Sequence, residues 1–512
     1  MSSASIDTTL PVDEEKLPSR GGEPPPADEL AAHTATPNPL ATLSRAHKLA
    51  LLALFSVSMF IDGAGIGAAF LLTSAISADL GIAPANEAWV LGSYSLAFAA
   101  ALLAAGRLAD VFPPNRVFVV GFALLGALSL GTSFTSGQYA FFVLRALGGL
   151  VAVLTVPSAI NMIVQMYPDP TEQAKSLALF GLAAGLANVL ALLIAAVCLL
   201  ASWRWYFRLV AIVVLPLSGA AMALIPRSRA VAEALDGKAK LARMDVGGVL
   251  LLFGAMVLFI TAFTQAPAAG YASALFLAPL LLSLVLFPAF LVWEAKRPRG
   301  TTLLPHDIWQ LPNILPLVVM ASPSFLWFAT YQLRLATWFQ DALHLSPLLT
   351  AAKLLPAGVT CLVVGLLTQP FPALVTRPRV VQPIAAALMC TSTILLSFSD
   401  GGRGVNYPRF ILPSMLLGFT GGMLNFVGTS TAITQAFPVE FAGVGGSFAQ
   451  VVFQVFGVLG LAVQTALLGT GKQGDDWTGS RNGYLFTSAY ALVAGLVFLV
   501  SFRPHGPAAA AE

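Results

Sequence analysis

Apolar runs of roughly twenty residues recur about fourteen times between Leu49 and Phe502, and this recurrence limits the possible folds more than any other feature of the sequence. A helix needs about 20 apolar residues to cross a hydrocarbon core of about 30 Å, and helices satisfy their own backbone hydrogen bonds there. Hydrophobic residues make up 57% of the chain, and charged residues make up only 10%, with a mean hydropathy of +0.81. The sequence therefore predicts an all-α integral membrane protein with about 14 transmembrane helices.

Two charged breaks divide the runs into groups of six, two and six. The N-terminal 47 residues are polar and rich in Pro, Ser, Thr and Glu, which is typical of disorder. We therefore predict a disordered cytoplasmic tail over 1–47, a six-helix half over 48–226, a cytoplasmic break with two linker spans over 227–300, a second six-helix half over 301–503, and a cytoplasmic tail over 504–512.

The basic residues predict the orientation of these spans. Of the 27 Lys and Arg residues, 18 fall on the side of the N-terminus and seven on the opposite side. Because cytoplasmic loops are enriched in Lys and Arg, both termini are expected in the cytoplasm. The three cysteines, Cys198, Cys361 and Cys390, lie inside apolar runs and are interpreted as packing residues.

The segment GRLADVFPPNR, from Gly106 to Arg116, follows the second run directly. It resembles the loop between the second and third spans of the major facilitator superfamily, although Val111, Pro113 and Pro114 depart from the family pattern. We expect a tight loop at the membrane face. The resemblance implies a cytoplasmic gating loop that includes Gly106, Arg107, Asp110 and Arg116. An ordinary interfacial turn is the alternative.

The six-two-six arrangement resembles the fourteen-span drug:proton antiporter branch of that superfamily, in which two extra helices join two six-helix halves. The resemblance extends over most of the chain and includes WVLGSYSL, ASWRWYF, MDVGG and LSPLLTAAKLLPAG. The C-terminal half is nearest in style to fungal aminotriazole-resistance, boron-resistance and secondary-metabolite exporters. This resemblance implies a monomeric efflux pump in the plasma membrane that moves a small molecule and protons, with no cofactor.

Asp62 is the only acidic residue placed in the middle of a predicted span, roughly 20 Å from the inner face at about 1.5 Å per residue. An isolated charge at this depth is costly, so we expect Asp62 to be neutral or paired, with a protonation that responds to hydration. In MFIDGAGIGAAFLL it matches the Asp of the family's first span, which implies a proton carrier. The following glycines, Gly63, Gly65 and Gly67, allow close packing or local helix opening. A structural Asp bonded to a neighbouring helix is the alternative.

Arg145 lies on the fourth predicted span, roughly 10 Å below the outer face and near the depth of Asp62. The segment RALGGLVAV resembles the family's fourth-span motif, where an Arg is implicated in proton coupling; Gly148 replaces the usual Gln. We therefore expect an interaction between Asp62 and Arg145 that weakens when Asp62 is protonated. A purely structural Arg that extends toward the interface is the alternative.

Polar and aromatic side chains on other spans are candidates for a large, mostly apolar substrate cavity. Such a cavity suits amphipathic organic molecules better than small ions, although helix packing is the alternative for each aromatic residue. Lys353 is expected either to bind an anionic group of the substrate or to pair with a helix carbonyl. The candidates are Asn188, Trp327, Tyr331, Gln332, Lys353, Asn425, Gln450 and Gln454.

The fifth span departs from the antiporter pattern. It has Asn188 and Leu192 at the expected prolines, and Ala191 at one of the expected glycines, so its kink should be reduced. This leaves open a low-affinity facilitator or uniporter for a small solute such as ammonium or borate. A non-transporting membrane sensor is a further alternative. The sequence contains no phosphate-binding loop and no metal-ligand spacing, and its small net charge of +3 argues against nucleic acid; we expect neither an enzyme nor a metal site.

Overall fold

The computed structural model describes residues 39–83, 86–226, 245–297, 306–368, 370–371, 373–437, 442–468 and 477–503. The first 38 residues of the predicted tail, the charged stretch 227–244 and the tail from 504 onwards lie outside these residues. Within the described residues, thirteen helices are long and apolar enough to cross a membrane, and a shorter apolar stretch covers Gly445–Leu461. The chain is a multi-pass membrane protein. We name its two faces inner and outer after the distribution of Lys and Arg.

Each predicted span is occupied by a helix, and the helices are numbered after the spans. The N-terminal half contains α1 (Arg45–Leu80), α2 (Ala88–Val111), α3 (Pro114–Thr132), α4a (Gln138–Ala152), α4b (Thr155–Met166), α5 (Pro170–Leu199) and α6 (Arg204–Leu224). The linker pair consists of α7 (Val246–Ala269) and α8 (Ala274–Ala295). The C-terminal half contains α9 (Ile314–Thr337), α10 (Pro347–Leu367), α11 (Pro378–Ser397), α12 (Leu412–Ala436), α13 (Ala442–Leu468) and α14 (Thr478–Ser501). The predicted all-α fold class is confirmed.

Side-chain caps and glycine mark several helix ends. Ser44 accepts a hydrogen bond from the backbone N–H of His47 at the start of α1, and Asp169 accepts one from Glu172 at the start of α5. Such caps satisfy N–H groups that have no partner inside the helix. α1 ends at Gly81, whose φ of 64° suits a residue without a β-carbon. The spans therefore have definite ends, which fixes the register of their buried residues.

The connection between α2 and α3 is shorter than the sequence predicted. α2 continues through Gly106, Arg107 and Asp110 to Val111, and α3 begins at Pro114. Proline is well suited to the first helical position, because the N–H that it lacks would have no intrahelical partner. The prediction of a loop from Gly106 to Arg116 is therefore wrong in extent, and the turn consists of Phe112 and Pro113.

Three helix pairs join the two halves: α1 with α9, α2 with α13, and α5 with α10. The linker helix α7 packs against both members of the α2–α13 pair, whereas α8 packs mainly on α7 and is largely exposed on its other side. The linker pair thus covers the contact between α2 and α13 on the lipid-facing surface.

Small residues bring α1 and α5 together within the N-terminal half. A β-carbon added at Gly63 would lie 3.0 Å from Cβ of Ala187, and one at Gly67 would lie 3.0 Å from Cβ of Ala191. Close packing, rather than helix opening, is therefore the role of these glycines, since α1 is continuous through them. α5 also runs without a break and has proline only at its first position, in agreement with the reduced kink expected from its sequence.

Candidate proton and substrate site

Asp62 of α1 lies in the interior of the N-terminal half, with 5% of its surface exposed. The hydroxyl of Tyr94 on α2 donates a short hydrogen bond to Oδ1 of Asp62. A buried carboxylate is costly unless hydrogen bonds or opposite charges compensate for the lost water. Tyr94 supplies one such bond, so it determines how readily Asp62 carries a negative charge.

Arg145 of α4a lies over the ring of Tyr94 and is also buried, with 6% of its surface exposed. The carbon Cζ of its guanidinium is 4.7 Å from the centroid of the Tyr94 ring and 5.8 Å from that of Phe207. Nη2 donates a hydrogen bond to the carbonyl of Gly65 on α1, at 3.4 Å, and Nε has no hydrogen-bond partner among the described residues. Aromatic faces and one carbonyl thus offset the desolvation of this charge only in part.

Glycines on α4a allow Tyr94 to reach this position. A β-carbon at Gly149 would overlap the backbone carbonyl oxygen of Tyr94, and one at Gly148 would lie 3.8 Å from the Tyr94 ring. α2 and α4a therefore approach most closely at Tyr94. Gly148, which replaces the Gln usual in the family motif, leaves room for the aromatic ring.

The predicted partners Asp62 and Arg145 share a neighbour. The described side chains of Asp62 and Arg145 form no ion pair with each other; ion pairs found elsewhere in the described part of the chain include Arg204–Asp79 and Arg297–Asp245. Instead, Tyr94 contacts both through its hydroxyl and its ring. Sequence reasoning missed Tyr94, although it lies within the segment WVLGSYSL, because an aromatic residue in an apolar span gives no indication of what its hydroxyl bonds.

The aromatic residues predicted for a substrate cavity lie together in the C-terminal half. Trp327 and Tyr331 of α9 have centroids 4.8 Å apart, and both pack against Phe419 of α12. The hydroxyls of Tyr331 and Ser414 are 2.9 Å apart. Both aromatic side chains are at most 1% exposed, so in this conformation they belong to the core of the half.

The amide residues occupy neighbouring helices. Asn425 of α12 is fully buried, and its carbonyl Oδ1 has no hydrogen-bond partner among the described residues. Gln332 follows Phe328 by one turn of α9, and Phe328 contacts Phe70 of α1 across the two halves at 5.9 Å. On α13, Gln454 is buried and Gln450 is half-buried one turn earlier. The side chain of Asn188 on α5 lies outside the described residues.

Lys353 of α10 lies between two aromatic rings. Its Nζ is 4.8 Å from the Tyr407 centroid and 5.5 Å from the Phe339 centroid. The hydroxyl of Tyr407 donates a 2.6 Å hydrogen bond to the backbone carbonyl of Lys353. The cation is thus held by ring faces near the outer end of the C-terminal half.

Of the predicted gating residues, Gly106 lies beside the other half. A β-carbon there would lie 3.7 Å from Oγ of Ser447 on α13. Arg107 is half-buried on α2 and Arg116 is exposed on α3. The side chain of Asp110 lies outside the described residues. The role of these four residues in gating stays a prediction.

The halves also meet at the outer end of α1. The hydroxyl of Ser74 donates a 3.4 Å hydrogen bond to Asp341, just beyond α9. Glu87, immediately before α2, is half-buried near Asp341. Burial raises the pKa of Glu87 from an ordinary value of 4.5 to about 7, and the Asp341 carboxylate adds to this rise. The outer mouth therefore carries a carboxyl group that titrates near neutral pH.

A separate cluster holds the outer ends of α1 and α6 together within the N-terminal half. Arg204 forms a 2.5 Å ion pair with Asp79, and the indole Nε1 of Trp203 donates a 3.0 Å hydrogen bond to the same carboxylate. Trp203 and Arg204 belong to the segment ASWRWYF, and Asp79 lies at the outer end of α1. This cluster gives that segment a structural function, which the sequence resemblance alone did not assign.

Two helical halves, with a buried carboxyl group in one and buried amide and aromatic groups in the other, define a membrane transporter. The chain matches the Major Facilitator Superfamily over residues 54–461. It belongs to this superfamily.

Proteins of similar sequence are named as resistance, efflux or transport proteins. The chain is 29% identical to the puromycin resistance protein pur8 of Streptomyces alboniger over 427 residues, which is 82% of this chain and 81% of that protein. It is 24% identical to the efflux pump terJ of Aspergillus terreus over 475 residues, 90% and 88% of the two chains. It is also 24% identical to a low affinity ammonium transporter of Saccharomyces cerevisiae over 408 residues, 78% and 77% of the two chains.

Solved structures share the fold at lower sequence identity. A peptide transporter POT in complex with sulfate aligns with a TM-score of 0.62 and 17% identity, covering 88% of this chain and 93% of that one. A POT family transporter in complex with a thioalcohol-conjugated peptide aligns with a TM-score of 0.65 and 16% identity, covering 88% and 95%. These alignments establish the arrangement of the helices.

Proposed function

We propose that this protein exports amphipathic organic molecules, of the drug or secondary-metabolite class, across the plasma membrane in exchange for protons. The observation that carries the proposal is the cluster of Asp62, Tyr94 and Arg145, in which a buried carboxylate and a buried guanidinium share one aromatic neighbour. Relatives named for puromycin resistance and for efflux support the direction of transport and the class of substrate.

Binding or release of a proton at Asp62 changes the net charge of this cluster of Asp62, Tyr94 and Arg145. When Asp62 is ionised, its charge is stabilised by the Tyr94 hydroxyl, and the positive charge of Arg145 lies over the face of the same ring. When Asp62 is protonated, the carboxyl group no longer needs that donor, and Arg145 loses the nearby negative charge. The packing of α1, α2 and α4a is therefore expected to differ between the two states.

A change in α1 can reach the substrate path because α1 contacts α9 of the other half. Phe70 and Phe328 form part of that contact, and Gln332 lies one turn further along α9. In alternating access the two halves rock about a site near the midplane. Proton binding at Asp62 would favour one of the two arrangements, and the substrate would favour the other.

The test is proton flux in proteoliposomes with puromycin as the candidate substrate, comparing the wild type with Asp62→Asn. Asp169→Asn is the matched control, because asparagine also caps a helix and position 169 lies at the start of α5. We expect the wild type and the control to couple puromycin movement to a proton gradient, and Asp62→Asn only to exchange substrate. Gradient-driven transport by Asp62→Asn at the wild-type rate would overturn the role of Asp62.

A facilitator is the second candidate, and the uninterrupted α5 is the observation that favours it. The similarity to a low affinity ammonium transporter points to a small solute in that case. Saturable, pH-independent uptake of ammonium down its own gradient, with no proton movement, would support this function over antiport.

A further inference from the structure

A cavity of about 420 Å³ lies on the lipid-facing side of the protein, where the linker pair meets both halves. Its walls come from α2, α7, α8, α9, α13 and the turn His306–Gln310. The volume falls within the range of about 300–1,000 Å³ that is typical of small-molecule sites. The wall residues include Ala255, Phe259, Phe287, Phe290, Val452 and Val455.

The depth of the cavity follows from its helices. Its lining runs along α8 from Ser283, near the middle of the helix, to Glu294, one residue before the inner end. Trp309 lies on the turn that precedes α9 and is half exposed. The cavity therefore extends from the midplane to the inner interface, which is the depth of one leaflet of the bilayer.

The cavity opens toward the hydrocarbon layer. Among its wall residues on α8, Leu284 is 55% exposed and Phe287 is 40% exposed, whereas Phe290 of the same helix and Ala255 of α7 are buried. An apolar space of this kind at membrane depth is in contact with lipid tails rather than with water.

The inner end of the cavity carries a fixed cluster of charges. Oδ1 of Asp245 at the start of α7 accepts a 2.8 Å hydrogen bond from the indole of Trp293 and lies 3.1 Å from Arg297. Arg297 is thus paired with a carboxylate. Its neighbour Lys296 is exposed at the level of the head groups, two residues beyond Glu294. A phosphate at this level would meet the positive charge of Lys296.

We propose that this cavity binds a glycerophospholipid of the inner leaflet, with one acyl chain between α7, α8 and α13 and its phosphate beside Lys296. The apolar lining and the opening to the hydrocarbon layer match one acyl tail. The exposed Lys296, two residues beyond the lining residue Glu294, matches one phosphate head group. Because α7 contacts α2 and α13, which belong to different halves, the bound chain fills the space beside a contact that changes when the halves rock.

The test uses the full-length protein in vesicles of phosphatidylcholine that contain a small fraction of phosphatidylcholine with a diazirine in the middle of one acyl chain. After irradiation, labelled peptides are located by mass spectrometry. We expect labels to concentrate on 283–294 of α8 and 448–456 of α13. Labelling spread evenly over the exposed faces of all the helices would overturn the proposal.

Two variants fill the cavity from opposite walls: Ala255→Phe on α7 and Val455→Phe on α13. Val292→Trp is the matched control, because Val292 lies on α8, is 54% exposed and is not part of the lining. We expect labelling of both segments to fall at least about fivefold in each filled variant and to stay unchanged in the control. Monodisperse elution of each protein shows that it has folded, and two independent variants guard against the failure of one.

The head-group contact is tested with the variant Lys296→Gln. The measurement is the amount of phospholipid that stays bound through purification, determined by native mass spectrometry. We expect a several-fold loss of retained phospholipid, and recovery in Lys296→Arg. If puromycin displaced the label from the cavity while phospholipid did not compete, the cavity would be a substrate entry site and the lipid proposal would fail.

Discussion

The guanidinium of Arg145 lies over the ring of Tyr94, with Cζ 4.7 Å from the ring centroid, while the hydroxyl of the same tyrosine donates a hydrogen bond to Asp62. The Tyr94 side chain therefore contacts these two buried residues through two different groups, its ring and its hydroxyl. A substitution can therefore remove the hydrogen bond to Asp62 and keep the contact of the ring with Arg145.

Tyr94→Phe removes the donor to Asp62 and keeps the ring beneath Arg145. A hydrogen bond to a charged group contributes about 1.5–3 kcal/mol, so we expect ionised Asp62 to be disfavoured by about tenfold or more. If the protein exchanges puromycin for protons as we propose, the pH profile of that exchange should shift toward higher pH, because the proton is then released less readily. The control is Tyr139→Phe, at a tyrosine that is 74% exposed at the start of α4a. Identical profiles for wild type and Tyr94→Phe would show that this bond has no part in coupling.

Gly149→Ala should destabilise the protein, because its β-carbon would overlap the carbonyl oxygen of Tyr94. Overpacking of this kind costs about 1–3 kcal/mol. Gly92→Ala on α2 is the control: nothing lies within 4 Å of its added β-carbon, and alanine is the better helix former by about 1 kcal/mol. Thermal unfolding in detergent should show a lower Tm for Gly149→Ala only. An unchanged Tm would mean that α2 and α4a separate at little cost.

The outer contact should depend on pH through Glu87. Its pKa is raised to about 7 by burial first and by Asp341 second, so the ionised form is disfavoured in the closed arrangement. The closed outer mouth is therefore favoured at acidic pH, and it loses stability as pH rises from about 4.5 through about 7. Arg334 and His344 also lie near Asp341.

Distances between spin labels can measure this effect. Labels at Ala83→Cys and Leu348→Cys, in a chain from which Cys198, Cys361 and Cys390 have been replaced, report the separation of the halves at the outer face. Between about pH 5 and pH 8, the wild type should move toward the longer distance. Glu87→Gln should keep the shorter distance throughout, and an equal response in both proteins would exclude Glu87 as the titrating group.

Lys353→Gln should affect stability more than substrate choice, because Nζ lies over the rings of Tyr407 and Phe339. A cation–π contact contributes about 0.5–2 kcal/mol, and its loss should lower the Tm of the purified protein by a few degrees. The pattern of exported compounds should stay unchanged. Tyr407→Phe is the control, since it removes the bond to the Lys353 carbonyl and keeps the ring. A changed substrate range in Lys353→Gln with an unchanged Tm would place this lysine at the substrate.

The sequence predicted the helices well, because span length and hydropathy are properties of local segments that the bilayer constrains directly. It also singled out Asp62 and Arg145, since a charge inside an apolar run is costly wherever the run packs. It did not predict Tyr94, Asp341 or the contact of Gly149 with Tyr94. Those relationships depend on how helices distant in sequence face one another, which hydropathy does not encode. The extent of the α2–α3 loop was wrong because Gly and charged residues at the end of a span can remain helical at an interface.

The close contact of Gly63 and Gly67 with Ala187 and Ala191 has a mechanical consequence. Because the two helices pack so closely that even an added β-carbon would be tight, α1 and α5 are expected to move together. Of this pair, α1 carries Asp62, and α5 contacts α10 of the opposite half. If Asp62 carries the proton, as we propose, a displacement of α1 on proton release would therefore also move α5 and change its contact with α10.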